Sequence, residues 1–415
     1  MPDAATELFP RSIFAQAQRV IRQYRVLVAQ AGPGHGKTGL LTYLYQQHSG
    51  MRVWLRLTPA DNDPQRLLLK LVHALACNGV QLSDYEQRWL LACPAHQCAE
   101  FLLKLLPDDV ETVLFLDDVH HLTDDTSNDL LRALCGGQGR ALRIVMATDG
   151  ALPFDISPLL LANRVYFITH RMLLLDADEA LAFLGKATGP VRRMVDYCEG
   201  WLAPLVMLKR QLVQAVQPSG VEQDFYRLSH GLADYLEHQL LLQVDAEAQA
   251  ALVRLAATDR FALAQAVFML GDVPMPVLQF LCERHGALIG SEEKGYRWHR
   301  FPRIYRDFLL QRQRQRLQRG DVQLLQARAA HWLHDHRFLA EAITLGMACE
   351  AWEPVALWLE EYTRLAKQKG NHEQLLLWLK ALPQDVARQH PALQVAFALC
   401  LMLRTQFVSS DTSTF

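Results

Sequence analysis

The sequence predicts an α/β domain, in which helices cover both faces of a parallel sheet, followed by units that are almost entirely helical. In the first part of the chain, short apolar runs alternate with helical patterns. A glycine-bearing turn joins the first of these runs to a helix. From Asp176 onward the pattern becomes helical, apart from one short hairpin. At 415 residues the chain has room for several domains of ~100–200 residues each.

The first strand and its turn lie in residues 26–40, VLVAQAGPGHGKTGL. Gly34 and Gly36 let the backbone curl so that successive N–H groups face one concavity, because residues without Cβ accept positive φ. The helix that follows adds unpaired N–H donors and the positive end of its dipole. Lys37 is then placed to reach the β- and γ-phosphates of a nucleotide, and the Thr38 hydroxyl to bind Mg²⁺. The predicted nucleotide-binding residues of this loop are Gly32, Gly34, His35, Gly36, Lys37, Thr38 and Gly39.

This loop departs from the phosphate-loop pattern G-x-x-x-x-G-K-[ST] at one position. Ala31 stands where the pattern has its first glycine. Alanine is small, and a buried strand precedes the loop, so the pattern still predicts a P-loop NTPase domain.

The other elements of this domain come from the same periodicities. A helical pattern over residues 11–24 precedes the first strand, and residues 52–57 form a second strand. Pro64 opens the helix after that strand. Residues 142–148 and 165–168 are further apolar strands, which completes the rhythm of a parallel α/β sheet.

Paired aspartates follow another apolar run in VLFLDDVHHL, residues 113–122. Such a run predicts a buried strand that carries carboxylates to its C-terminal end, where ligands of parallel sheets bind. Asp117 would hold Mg²⁺ and Asp118 would polarise an attacking water, so Thr38 and Asp117 are the predicted metal residues and Asp118 the predicted catalytic one.

The predicted domains follow from these patterns. Residues 1–175 form the P-loop NTPase domain, and residues 176–228 a helical domain. Residues 229–312 form a winged-helix-like domain, because helices lead to a short hairpin with Gly295 near its tip. Residues 313–404 begin a TPR-like helical repeat, and residues 405–415 are expected to be a frayed or truncated tail.

Composition sets further expectations about location and partners. The formal net charge of −2 gives no overall attraction to nucleic acid or to an anionic membrane. The first ten residues, MPDAATELFP, lack the basic-then-apolar pattern of a signal peptide, which favours a cytoplasmic protein. The eight cysteines are scattered through predicted helices and strands, as expected of reduced thiols.

Longer stretches of the chain resemble the MalT-like, LuxR-family large ATP-binding transcription regulators, a branch of the STAND signal-transduction ATPases. The matching runs are GPGHGKTGLL, VWLRLTPADNDPQRLLLKLVHAL, VLFLDDVHHL, CEGWLAPL, YRWHRFPRIYRDFLL and the region from RAAHWL to ALPQDVARQHPAL. They occur in the order found in the family and span nearly the whole chain.

This resemblance implies a nucleotide-responsive switch that binds ATP or ADP with Mg²⁺, responds to a small-molecule or protein effector and self-associates when active. His299, in YRWH, resembles the winged-helix histidine that contacts the β-phosphate of ADP in such proteins. The DNA-reading helix-turn-helix of the family has no counterpart in these 415 residues. The resemblance therefore implies an N-terminal portion of such a regulator, with no direct DNA binding by this chain.

Two positions depart from the family pattern. Members usually carry Ser-Arg after the strand that follows the paired aspartates, with the arginine facing the γ-phosphate, whereas this chain has Thr148-Asp149. The helical domain's usual Gly-x-Pro appears as Gly200-Trp201-Leu202. The first departure places a carboxylate near the phosphates, which would repel them, so slow hydrolysis, or none, is expected.

Two other functions fit parts of the sequence. An AAA+-like ATPase would need an arginine finger near the end of the sheet domain, where Arg164 is a poor candidate. A nucleotide-independent interaction scaffold would explain Asp149 and the short helical repeat.

Overall fold

The computed structural model describes residues 8–107, 110–137, 142–214, 230–284, 288–369 and 372–411. The chain forms two compact units. The first comprises residues 1–240 with short returns at 283–287 and 302–304, and the second comprises the remaining residues. The finer division into domains that the sequence suggests stays a prediction.

The first unit is built on a five-stranded parallel sheet with the order β2-β3-β4-β1-β5. The strands are β1 Val26–Gln30, β2 Met51–Arg56, β3 Thr112–Asp117, β4 Leu142–Thr148 and β5 Val165–Thr169. All five coincide with strands predicted from apolar runs. The α/β fold class of the first unit is therefore confirmed.

Continuous apolar runs form these strands because both faces of the sheet are covered. Val26 and Val28 of β1 join one hydrophobic core, whereas Leu27 and Ala29 join the core on the opposite face. Alternate residues of a strand point to opposite faces, so helices must pack on both sides of the sheet.

The helices around the sheet are α1 Ser12–Val20, α2 Lys37–Gln47, α3 Pro64–Ala76, α4 Asp84–Ala92, α5 Ala95–Leu105, α6 Asp125–Gly136, α7 Ser157–Leu161 and α8 His170–Leu173, with short 3₁₀ turns at Pro59–Asn62 and Val119–His121. Helices α4 and α5, between the second and third strands, were not predicted as separate elements. A capping box at Ser83 and Glu86 marks the start of α4. An S-x-x-E pattern is a recognisable signal for such a start.

The helical part of the first unit follows the sheet directly. Its helices are α9 Ala177–Leu184, α10 Gly189–Cys198, α11 Leu202–Gln214 and α12 His230–Leu236, which continues into a π-helical turn at Glu237–Leu241. Gly200 separates α10 from α11 with φ of +74°, and a Cβ there would lie 2.2 Å from the carbonyl oxygen of Leu175. Only glycine suits this turn.

The second unit begins with helices and a small sheet. Its elements are α13 Ala246–Leu255, β6 Phe261–Ala262, α14 Leu263–Leu270, α15 Met275–Arg284, β7 Ile289–Glu293, β8 Tyr296–Arg300 and α16 Arg303–Arg316. The hairpin of β7 and β8 confirms the predicted one, and Gly295 in its turn has φ of +78°. Strand β6, which pairs with β8 and is only two residues long, was not predicted.

Helices fill the rest of the second unit. They are α17 Arg319–Asp335, α18 Leu339–Ala348, α19 Trp352–Lys369, α20 His372–Ala381, α21 Gln384–Gln389 and α22 Pro391–Asp411. Trp332, Trp358 and Trp378 are buried in one core between them. The last helix continues through residues 405–411, where the sequence loses its apolar pattern. In the described ranges, no helix is long and apolar enough to cross a membrane.

Candidate functional site

The candidate site is the loop between β1 and α2, at the C-terminal edge of the sheet. Gly34 has φ of +74°, and Gly36, which precedes the first residue of α2, has φ of +87°. Among the hydrogen bonds of the described residues, none uses the backbone N–H groups of Gly34, His35 or Gly36 as donors. The loop therefore presents consecutive unpaired donors at a helix N-terminus, as an anion requires.

The outer side of the loop packs against the segment that joins α10 to α11. The indole Nε1–H of Trp201 donates to the carbonyl oxygen of Pro33 at 3.1 Å. The backbone N–H of Ala203 donates to the carbonyl oxygen of Gly34 at 2.9 Å. A Cβ on Gly34 would lie 2.5 Å from the Cβ of Ala203 and 2.4 Å from the hydroxyl of Tyr235. Glycine is therefore needed for packing as well as for φ.

Lys37 lies at the start of α2 with its side chain only 7% exposed. Its ammonium donates to the carbonyl oxygen of Gly32 at 2.9 Å and forms an ion pair with Asp149 Oδ1 at 2.6 Å. Asp149 directly follows β4, the strand next to β1. The structure thus joins the predicted phosphate-binding lysine to the residue at which the chain departs from the family pattern.

Thr38 and Asp117, the predicted metal residues, lie together. The Thr38 hydroxyl donates to Asp117 Oδ2 at 3.0 Å and lies 3.3 Å from Oδ1. Asp117 is fully buried at the end of β3, and burial together with the charge of Asp118 raises its pKa to about 6. A divalent cation would reverse that shift, because it favours the ionised carboxylate.

Asp118, the predicted catalytic residue, follows β3 in the left-handed region with φ of +62°. Its carboxylate accepts a hydrogen bond from Arg56 Nε at 3.2 Å. Arg56 is largely exposed, so this pair contributes little to stability. The catalytic role of Asp118 stays a prediction.

His35 supports the loop from within. Its Nδ1 lies 3.0 Å from the carbonyl oxygen of Gly32 and 3.2 Å from that of Pro33. Both neighbours are acceptors, so Nδ1 carries the proton. Burial and the nearby Lys37 charge lower the pKa of His35 to about 4, which keeps the ring neutral.

The described residues fit a nucleotide with Mg²⁺. Unpaired loop N–H groups and Lys37 would hold the phosphates, whereas Thr38 and Asp117 would hold the cation. Gly32 lies in this loop, and Gly39 lies in α2, where a Cβ would have no contact closer than 3.8 Å. The roles of these residues in binding phosphate and Mg²⁺ stay predictions.

His299 lies in the second unit, on β8, and is 4% exposed. Its ring stacks on Phe261 of β6 with a centroid distance of 6.0 Å. Burial, and next the charge of Arg297, lowers its pKa to about 4. Its contact with a nucleotide stays a prediction.

Sequence reasoning missed two residues beside the loop. Arg11 is only 7% exposed and donates through Nη2 to the carbonyl oxygen of Leu173. Within the described part of the chain, its Nε and Nη1 have no hydrogen-bond partner, and Nη1 lies 3.2 Å from where a Cβ on Gly36 would be. Tyr235 lies over Gly34. Leu173 lies 162 positions after Arg11, and Tyr235 is likewise far along the chain from Gly34, so no sequence spacing signalled either contact.

The parallel sheet, the loop after β1 and the buried aspartate at the end of β3 define a P-loop NTPase fold. The sequence of the chain is similar to MalT-type regulators. The HTH-type transcriptional regulator MalT of Yersinia enterocolitica is 27% identical over 390 residues, which cover 90% of this chain and 42% of that protein. MalT of Serratia proteamaculans is 27% identical, with 94% of this chain and 44% of that protein covered.

The predicted resemblance to MalT-like regulators is therefore confirmed, and the chain spans less than half the length of the curated relatives that it matches. No protein-family model matches the chain. Among solved structures, the Walker-type ATPase of Pyrococcus abyssi has a TM-score of 0.49 at 12% identity, with 72% of this chain and 95% of that chain covered. The RuvB Holliday junction branch migration motor of Thermotoga maritima has a TM-score of 0.37 at 14% identity, with 74% and 97% covered.

Proposed function

We propose that this chain is the nucleotide-binding switch module of a MalT-like transcription regulator. It binds ATP or ADP with Mg²⁺ in the loop of the first unit, and it hydrolyses ATP slowly or not at all. Nucleotide and effector together promote self-association. The helices of the second unit provide the surface for a small-molecule or protein effector.

One observation carries the nucleotide proposal: Lys37 and Thr38, which begin the helix after β1, lie with Asp117 of β3 at the carboxyl edge of the sheet, beside a loop with unpaired N–H donors. Lys37 supplies a positive charge for phosphate, and the Thr38–Asp117 pair supplies oxygen ligands for Mg²⁺. Ligands of parallel sheets bind at this edge. The similarity to MalT regulators supports the regulatory part of the proposal.

The proposal of slow hydrolysis rests on the residues beyond the loop. Asp149 brings negative charge to the Lys37 ammonium, where a triphosphate needs positive charge. Asp118 is paired with the exposed Arg56. Neither arrangement provides a preorganised cation for charge that develops on a transferring phosphoryl group.

Isothermal titration calorimetry of the full chain with ADP and with ATP, with and without Mg²⁺, tests this function. We expect Lys37→Ala to lower the affinity for both nucleotides by at least tenfold, because a buried cation beside phosphate is lost. Lys104→Ala removes an exposed lysine of the same unit and should leave both affinities unchanged. Absence of binding to the folded wild-type chain would contradict the proposal and favour a nucleotide-independent scaffold.

Hydrolysis and assembly need separate measurements. Steady-state phosphate release should show few turnovers, and rapid multiple turnover without an effector would favour an AAA+-like ATPase. Sedimentation velocity with each nucleotide tests self-association. The same distribution of species with ADP, with ATP and without nucleotide, in the presence of a bound effector, would refute the switching part.

A further inference from the structure

We propose that Asp149 makes this site selective for a nucleoside diphosphate over the corresponding triphosphate. The Asp149 carboxylate forms an ion pair with the Lys37 ammonium and thereby takes a contact that a γ-phosphate would need. This inference rests on the proposed nucleotide-binding function and specifies the ligand that the site prefers.

The N–H donors of Lys37 limit how many phosphate oxygens the ammonium can bind. A lysine ammonium has three N–H donors. One is used by the carbonyl oxygen of Gly32 at 2.9 Å and one by Asp149 Oδ1 at 2.6 Å. One donor is therefore left for a β-phosphate oxygen, and a γ-phosphate oxygen needs a donor that Gly32 or Asp149 already uses.

The positive charge beside Asp149 comes from Lys37. A second titratable group beside it is His120, whose Nε2 lies 3.7 Å from Asp149 Oδ2. Burial lowers the pKa of His120, so this ring is neutral near pH 7 and gives the carboxylate no compensating charge. Burial and the Asp149 charge raise the pKa of Tyr235, which keeps that phenol neutral as well. Lys37 is thus the cation that balances Asp149 among the described contacts.

A diphosphate and a triphosphate therefore differ in how many donors of Lys37 they require. A diphosphate can share Lys37 with Asp149, so the ion pair survives binding. A triphosphate must take a donor of Lys37 from Gly32 or Asp149, and in either case its additional negative charge comes to lie beside the Asp149 carboxylate. Like charges placed together select against a ligand even where attractive contacts remain.

The substitution Asp149→Asn tests the proposal because it removes the charge and keeps the shape. Competition titrations against a fluorescent ADP analogue, in Mg²⁺, give both dissociation constants for the full chain. We expect the wild-type chain to bind ADP at least tenfold more tightly than ATP. Asp149→Asn should reduce this ratio at least fivefold, mainly through tighter ATP binding.

Asp178→Asn is the matched control, because it removes the charge of an exposed aspartate in the same unit. Should Asp149→Asn not fold, as judged by circular dichroism, Asp149→Ser serves in its place. A wild-type ratio near one, or a ratio that Asp149→Asn leaves unchanged while ADP still binds, overturns the inference and leaves nucleotide binding intact. A loss of ATP affinity in Asp149→Asn also overturns it, because the carboxylate would then assist the triphosphate. Failure of the folded wild-type chain to bind either nucleotide overturns the proposed function as well.

Discussion

Trp201→Phe tests whether the segment between α10 and α11 holds the phosphate loop in shape. Trp201 is only 2% exposed, and its indole N–H donates to the carbonyl oxygen of Pro33 at 3.1 Å. Phenylalanine keeps an aromatic ring but removes this donor and leaves unfilled volume. The substitution therefore acts on one hydrogen bond and on local packing.

The expected loss of stability has two parts. The lost hydrogen bond costs about 0.5–1.5 kcal/mol, because His35 Nδ1 still lies 3.2 Å from the Pro33 carbonyl oxygen, and the missing part of the indole adds about 1 kcal/mol for incomplete packing. We expect urea unfolding to show a loss of about 1.5–2.5 kcal/mol. Because the loop must then be ordered by the ligand, the ADP affinity should also fall, by about tenfold.

Trp54→Phe provides the comparison. Trp54 lies on β2 of the same unit, where its ring stacks on Phe115 with a centroid distance of 5.9 Å. Its replacement should change stability and leave ADP affinity within about twofold, since the described contacts of Trp54 are with rings away from the loop. Equal effects of Trp201→Phe and Trp54→Phe on ADP affinity would refute the reasoning.

Three further predictions follow from the site. Gly36→Ala should lower the free energy of unfolding by about 1–2 kcal/mol because alanine is strained at a positive φ. A steric clash should add a further loss, because the new Cβ would lie 2.8 Å from Leu202 Cδ2. Gly79→Ala has a similar φ of +92° with no atom within 4 Å, so urea unfolding of the two variants isolates the packing part, and equal losses would contradict it. The His35 ring, with its pKa lowered to about 4, stays neutral in the folded chain. As the pH falls from about 6.5 towards 4, the unfolded chain takes up this proton before the folded chain does. The free energy of unfolding of the wild type should therefore fall by up to about 3 kcal/mol relative to that of His35→Asn. The same difference in unfolding free energy between the two proteins at pH 7 and at pH 4.5 would refute this. His299→Ala should weaken ADP more than ATP in calorimetric titrations, and equal losses would remove its proposed β-phosphate role.

Much of the first unit could be predicted from sequence because its signals are local. Each strand is a short apolar run, and the loop carries glycines followed by Lys37 and Thr38 within a few positions. Asp117 was recognisable because it ends such a run. The hairpin of the second unit was predictable for the same reason, since its turn contains Gly295.

The contacts that shape the site were not predictable, because they join distant positions. Trp201 lies 168 positions after Pro33, and no periodicity connects them. Asp149 was recognisable as a departure from the family pattern, and Lys37 as a phosphate-binding residue, but the ion pair between them was not predicted. A two-residue strand such as β6 is too short to produce an alternating pattern.

The strand order gives this site a separable design. The ends of β3, β4 and β1 lie side by side and supply Asp117, Asp149 and the phosphate loop in that spatial order. The middle position touches the phosphate loop through the Lys37 ammonium. The unpaired N–H groups of the loop and the Thr38–Asp117 hydrogen bond do not involve Asp149. A single substitution after β4 would therefore change the charge beside the ammonium and leave the remaining phosphate and cation ligands in place.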